Sequence, residues 1–238
     1  MRIKGIDLKY VCKRCYVKSI GGGRINIAST ANLKNTKAYI YANGSLIIGS
    51  KCKLENCIIS VVSGSVQLLD NVIIVGKKYQ PVELIVNNGH IYIDSNSKLA
   101  CKRIWVRFGG QLRIGEYTNI NDGSEIRCDE NVSIGSFNQI SYNVRIWDTN
   151  THNILSVDER RDLTVKKYPY FGYEESRPET APVKIGDDCW IGERAAVLKG
   201  SDIGDGSIVG FDTLISGKKI PSYSRVINER VLKISKIH

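Results

Sequence analysis

An aliphatic residue returns at every sixth position over long stretches of this chain. The runs are Ile114, Ile120, Ile126; Ile134, Ile140, Ile146; and Ile185, Ile191, Val197, Ile203, Val209, Ile215. A period of six is neither the 3.6 of an amphipathic helix nor the plain alternation of a simple sheet. The fourth residue after each aliphatic is mostly small (Cys189, Ala195, Ser201, Ser207, Thr213), and the residue directly after it is often glycine (Gly186, Gly192, Gly204, Gly210). One inward aliphatic per six residues, with tight turns between, describes a triangular coil of three short strands. A single coil of this kind cannot bury its own face, so stacking of coils must create the core.

A longer repeat frames the shorter one. The phrase of glycine or another residue, then aliphatic, any, aliphatic recurs as Gly23–Ile27, Gly44–Ile48, Gly64–Leu68, Gly89–Ile93, Gly110–Ile114, Glu130–Ile134 and Ala181–Ile185. Its first aliphatics, at 25, 46, 66, 91, 112, 132 and 183, are 21, 20, 25, 21, 20 and 51 residues apart. The last spacing predicts an insertion between Ile146 and Val183, over about 149–182. Residues 1–22 precede the first phrase and are expected to cap the solenoid, whose body runs over 23–221. Residues 222–238 lack the period and are expected to form a basic terminal extension packed on the last coil.

With 238 residues, 42% hydrophobic and 24% charged, the chain lies in the globular range. It has no run of about 18 apolar residues and its first residues lack the apolar core of a signal peptide, so the cytoplasm is the expected compartment. Seven scattered cysteines read as reduced thiols, and the single CxxC of Cys12 and Cys15 has no second pair to complete a zinc site. The net charge of +10 suits an anionic partner, whether a phosphate-bearing cofactor, a nucleic acid or a lipid surface at the inner face of a membrane. No nucleic-acid motif accompanies it.

The segments Val183–Gly192, Ala195–Gly200 and Ile203–Gly210, ending in Lys218–Pro221, resemble the hexapeptide-repeat acyltransferases, most of all their sugar and polysaccharide O-acetyltransferase branch. The resemblance covers most of the chain and is strongest from Ile114 onward. It implies an all-β fold, a left-handed parallel β-helix, against the right-handed rule for parallel crossovers. It also implies a homotrimer with active sites between subunits, acetyl-CoA as co-substrate, no metal, and a sugar or glycan hydroxyl as acceptor.

Of three histidines, His90 lies within a coil phrase and reads as solvent-facing, while His238 is terminal. His152 lies in Trp147–Asn153, where the sixfold run ends and the insertion begins. Acyl transfer to a hydroxyl needs a base near neutral pH, which imidazole supplies. A loop histidine bonded to its own turn is the other reading. The resemblance implies the base, with Asp148 fixing the ring or touching the acceptor. It further implies Asn121 and Asp129 as sugar-holding residues and Trp190 beside acceptor and thioester. Pantetheine would lie along the Gly192 and Gly210 turns, with Ser216, Lys218, Lys219, Arg230 and Lys233 meeting the phosphates. Two departures stand out. Phe211-Asp212 replaces the family's Ala-Gly and is expected to narrow the pantetheine channel, and the usual Gly-Asn-Pro-Ala ending is absent.

The insertion mixes Asp158–Asp162, Lys166 and Lys167 with Tyr168, Tyr170, Phe171 and Tyr173, which suits a saccharide or a short helix locking subunits together. An amine acceptor on an amino sugar could use the same base. A γ-carbonic-anhydrase-like zinc hydratase would need three converging histidines, which this chain does not offer. A non-catalytic scaffold on the same solenoid is the reading from a different class.

Overall fold

The computed structural model describes residues 12–172 and 176–229. The chain winds through about ten turns of a left-handed parallel β-helix, each turn laying one short strand on each of three faces. The first face is a ten-stranded parallel sheet running from Cys12–Lys13 to Arg225–Val226. The second and third faces are continuous only near the start, where Lys37–Ile48 and Cys57–Leu68 bend across the edge between them. Elsewhere that edge is a turn, as between Glu125–Cys128 on the second face and Asn131–Ile134 on the third.

The sixfold aliphatics are the core. All twelve named above are essentially sealed from solvent, and each sits over its counterpart one coil away, as Ile126 over Ile146 and Ile146 over Val197. The small residue four positions later is buried at the turn, and where it is Ser or Thr it does more than fit. Thr118 Oγ1 donates to the Gly135 carbonyl (2.8 Å) and Ser97 Oγ to the Gly115 carbonyl (2.8 Å), each stitching a turn to the next coil. These bonds occupy turn carbonyls that no strand ladder reaches.

The phrase glycines form a column, with Gly44, Gly64, Gly89 and Gly110 in register on successive coils. Gly89 has φ +135°, and a Cβ there would lie 2.3 Å from the Gly110 carbonyl oxygen. Close stacking of backbone on backbone thus requires glycine at that point.

Both expected boundaries move outward. Cys12–Lys13 pairs in parallel with Leu33–Lys34 and Tyr16–Ser19 with Lys37–Ile40, so 12–22 belong to the first coil rather than to a separate cap. At the other end Arg225–Val226 pairs with Ile208–Val209, carrying the solenoid past 221. The first two strands of the first coil escape the sequence pattern because the glycine phrase marks only third-face strands, in this coil Gly23–Ile27. The remaining parts expected at 1–11 and 230–238 lie outside the described residues.

The insertion leaves after Arg145–Trp147 and returns at Val183–Ile185, from the edge between the second and third faces. It contains one helix, α1 (Val157–Lys167), opened by a capping box in which Ser156 and Glu159 bond each other's backbone. A second excursion, 76–81, leaves the edge between the first and second faces and accounts for the 25-residue spacing. Among the described residues no helix is long and apolar enough to cross a membrane.

Gly89→Ala is expected to destabilise the fold by about 3 kcal/mol or more. Gly22→Ala, at φ +97° with nothing within 4 Å, carries the backbone strain without the clash, so the difference between the two thermal melts measures the cost of the close stacking.

Candidate functional site

The root of the insertion is a pinch. The Asp148 carbonyl accepts from Ala181 N–H (2.9 Å), Asn150 N–H donates to the Glu179 carbonyl (3.0 Å), and Thr149 faces Thr180 in an antiparallel bridge. Outside it, Lys199 Nζ lies 2.8 Å from Glu179 Oε1, and this ammonium holds the exposed Glu179 carboxyl below its usual value. Thr151 is buried in the left-handed region at φ +66° with its N–H bonded to Thr149 Oγ1 (3.0 Å), and His152 follows it, exposed. Asn153 Nδ2 donates to Ser176 Oγ across the loop (2.7 Å). The expected base therefore stands on a braced root at a prism edge.

Asp148 takes on a structural duty. It is fully buried, with Oδ1 accepting from Asp129 N–H (2.8 Å) and Oδ2 from the N–H groups of Glu130 (2.8 Å) and Asn131 (2.7 Å). Burial raises its carboxyl above the ordinary value, while the three N–H bonds oppose that rise. These bonds close the turn of the preceding coil, so the residue expected to orient His152 or touch the acceptor spends its oxygens on backbone.

Asp129 is likewise committed. Both of its oxygens meet Arg107, at 2.9 Å from Nε and 2.7 Å from Nη2, with both residues buried. The Arg107 guanidinium also lies over the Trp105 ring, 4.4 Å from its centroid. Asn121, eight residues earlier, occupies a different edge, its side chain accepting from Asn119 Nδ2 (3.3 Å). The strand Glu125–Cys128 spans the second face between them, so the structure separates the expected sugar-holding pair.

Trp190 lies on the first face with its ring 55% exposed, between Gln139 and Ile208 on adjacent coils. Gly192 and Gly210 follow at the edge between the first and second faces. Their N–H groups bond the Val209 carbonyl (2.7 Å) and the Val226 carbonyl (2.8 Å), so these donors belong to the coil stack. A Cβ on Gly192 would lie 2.8 Å from Gly210 backbone, which explains the glycine without a ligand. Phe211 projects from the same edge, 61% exposed, with Arg194 over its ring at 5.2 Å. Ser216, Lys218 and Lys219 are exposed at the edge between the second and third faces, while Arg230 and Lys233 lie outside the described residues.

His90 is exposed as expected, its Nδ1 2.8 Å from Ser65 Oγ; His238 lies outside the described residues. Cys52, Cys57, Cys101, Cys128 and Cys189 are core residues: burial pushes the Cys101 thiol up to about 12 and raises Cys57 and Cys128 as well. Among the described residues no three potential ligands cluster to hold a metal. Sequence reasoning missed Arg107 and a stack on the second face in which Arg127 lies between Trp105 and Trp147, 5.6 and 4.5 Å from their centroids. The signal was available in the coil spacing, since 105, 127 and 147 occupy one outward position on successive coils.

Two substitutions separate structural from functional duty. Asp129→Asn is expected to cost about 3 kcal/mol by stranding the buried guanidinium, and Asp148→Asn about 2 kcal/mol by replacing an acceptor with a donor. Both losses appear in urea unfolding; an unchanged midpoint would release these carboxylates for chemistry.

Residues 182–217 match the family described as bacterial transferase hexapeptide (six repeats). A Mycobacterium tuberculosis protein named as an acetyltransferase is 32% identical over 127 residues, covering 48% of this chain and 40% of the relative. Escherichia coli WbbJ, named as a lipopolysaccharide biosynthesis O-acetyl transferase, is 29% identical over 134 residues, covering 56% and 65%. The chain thus spans less than two thirds of the length of these relatives. In fold it is similar to crystal structures of the polySia-specific acetyltransferase NeuO, with TM-score 0.53, 20% identity and coverage of 93% and 86%. It is similar also to the polysialic acid O-acetyltransferase OatWY, with TM-score 0.51, 20% identity and coverage of 90% and 81%. The coil geometry and these solved structures show a left-handed parallel β-helix, and its residues 182–217 carry the bacterial transferase hexapeptide repeat.

Proposed function

We propose that this protein is an O-acetyltransferase that moves an acetyl group from acetyl-CoA to a hydroxyl of a sugar or glycan, in the making of a bacterial surface polysaccharide. The observation that carries the reading is His152, exposed immediately after the left-handed Thr151 on the braced root of the insertion. The imidazole takes the proton as the acceptor oxygen attacks the thioester carbonyl carbon. The tetrahedral intermediate then collapses, the C–S bond breaks, and the departing thiolate takes that proton back. Asp148 supports His152 indirectly, by tying the root of the loop to the Asp129–Asn131 turn of the preceding coil.

The candidates divide between two edges of the prism. Trp190, Gly192, Gly210 and Phe211 gather at or beside one, while the His152 loop, Ser216, Lys218 and Lys219 lie at the next. A site that uses both groups would draw them from two copies, which favours the homotrimer. With the Gly192 and Gly210 N–H groups bonded within the stack, Trp190 and Phe211 are the better candidates to receive pantetheine, by apolar contact. The exposed lysines at 218 and 219 would meet the phosphates of coenzyme A. The relatives' names support acetyl transfer, and the WbbJ name supports a surface polysaccharide. The cytoplasm, where acetyl-CoA is available, is the proposed compartment.

His152→Ala is expected to lower acceptor-stimulated thiol release from acetyl-CoA by about a hundredfold or more, with an unchanged melting temperature. Stimulated release that survives the substitution would remove His152 from the mechanism and point to an amine acceptor or another base. Absence of both release and coenzyme A binding would favour the scaffold.

A further inference from the structure

Three clefts adjoin along the edge between the first and second faces. The middle one, about 490 Å³, lies under the 76–81 excursion and is lined by Tyr79, Gln80, Lys102, Asp122, Asn143 and Arg145 among others. A cleft of about 410 Å³ shares Asn143 and Arg145 with it and continues to Arg194 and Asp212. A third of about 330 Å³ shares Pro81 and runs the other way past Lys78 and Lys37 to Arg14. From Arg14 to Asp212 the edge crosses about eight coil spacings, roughly 40 Å at about 4.8 Å each. That is far longer than a single sugar.

The excursion is built to stand over this track. Lys77 and Gln80 close it by exchanging backbone bonds (3.0 and 3.1 Å), and the Lys77 ammonium is ion-paired with Asp122, two coils further along. The closure raises Tyr79 into solvent, 85% exposed, with Lys78 Nζ 5.0 Å from its ring centroid. Six cations and three carboxylates line the three clefts. Asp122 is already paired with Lys77 and Asp212 with Arg194 (3.5 Å). The edge therefore offers surplus positive charge, hydrogen-bonding amides and carboxylates, and exposed rings at Tyr79, Tyr142 and Phe211, of which Tyr79 stands highest.

We propose that this edge is a binding track for an extended anionic glycan, with Tyr79 as a stacking platform, so that the acceptor is a polymer rather than a free sugar. The proposal rests on the acetyl-transfer reading above. The apolar face of a pyranose stacks on the Tyr79 ring, its hydroxyls bond Asn143 and the carboxylates, and its acidic groups meet Lys102, Arg145 and Arg194. A single-stranded nucleic acid suits the edge less well. Such chains stack successive bases on closely interleaved aromatics, whereas the exposed rings here, Tyr79, Tyr142 and Phe211, stand two to three coils apart among carboxylates that repel a phosphodiester backbone.

The test titrates the full chain calorimetrically with polysialic acid and polygalacturonic acid fragments of graded length, with dextran and single-stranded DNA as comparisons. Affinity is expected to rise with fragment length, to fall with added salt, and to exceed that for dextran and DNA. Tyr79→Ala and Lys102→Gln, both at surface positions, should each weaken binding of the long fragments about fivefold to tenfold. In acetyl-transfer assays the same variants should raise KM for long acceptors and leave KM for a monosaccharide unchanged. Length-independent affinity, variants that bind like the wild type, or tighter binding of DNA would overturn the track. Long-fragment binding without any acetyl transfer would keep the track and overturn the reading beneath it. Transfer indifferent to Tyr79 and to acceptor length would do the reverse.

Discussion

Each inner coil among the described residues hydrogen-bonds in parallel to the coils on either side, in register but for one shift between Ile40 and Asn43, and that stacking constrains all else. A strand of two or three residues has almost no stability by itself, so its conformation is set by neighbours about 20 residues away in sequence. Because columns run the length of the prism, a side chain is tolerated only if it suits the residue above and the residue below. Aliphatics fill the inward columns, glycine fills the column where backbones meet at Gly64, Gly89 and Gly110, and Ser or Thr hydroxyls take the turn carbonyls. Asparagines at Asn35, Asn56, Asn71 and Asn96 occupy left-handed turn positions, where their short amides lower the strain, and Asn35 bonds Asn56 just as Asn71 bonds Asn96.

The edge between the second and third faces carries a different load. Arg107 and Asp129 form a buried pair on adjacent coils, and Asp148 on the next coil takes three backbone N–H groups of the Asp129 turn. These buried charges are tolerated because each has partners, and removing one strands the others. The His152 loop grows from the end of this chain of dependencies. Its position is thus inherited from a polar network inside the stack, while the histidine itself stays exposed.

The period of six made the core legible, since an inward column shows as a repeat before any register is known. Side-chain partnerships across coils were not legible in the same way. Asp148, four residues before His152, and Asp129, eight after Asn121 in the pattern the resemblance implies, both read as site residues. Only the register, which brings Arg107 on one coil beside Asp129 on the next, shows where their charge is spent. The start of the first coil was hidden because the glycine phrase marks only third-face strands, and Cys12–Lys13 and Tyr16–Ser19 precede the first of them. The 76–81 excursion lengthens one spacing to 25 against 20 and 21, but that number alone does not say which edge of the coil bulges. His152 was singled out by the place where the repeat stops, and it lies exposed beside the buried Thr151 at the root of the insertion.

The insertion leaves and re-enters the solenoid within one turn, and Asn138 bridges the gap it makes in the sequence. Its side chain bonds the Gly186 carbonyl (2.9 Å) and the Cys189 N–H (2.8 Å), as though no residues intervened. The coils on either side therefore cannot sense the length of what lies between them. Selection can rewrite such an appendage freely, and because the 76–81 excursion sits on another edge, it can be rewritten independently. A single rigid rod thus carries two exchangeable modules, and new specificities can be acquired without renegotiating the fold.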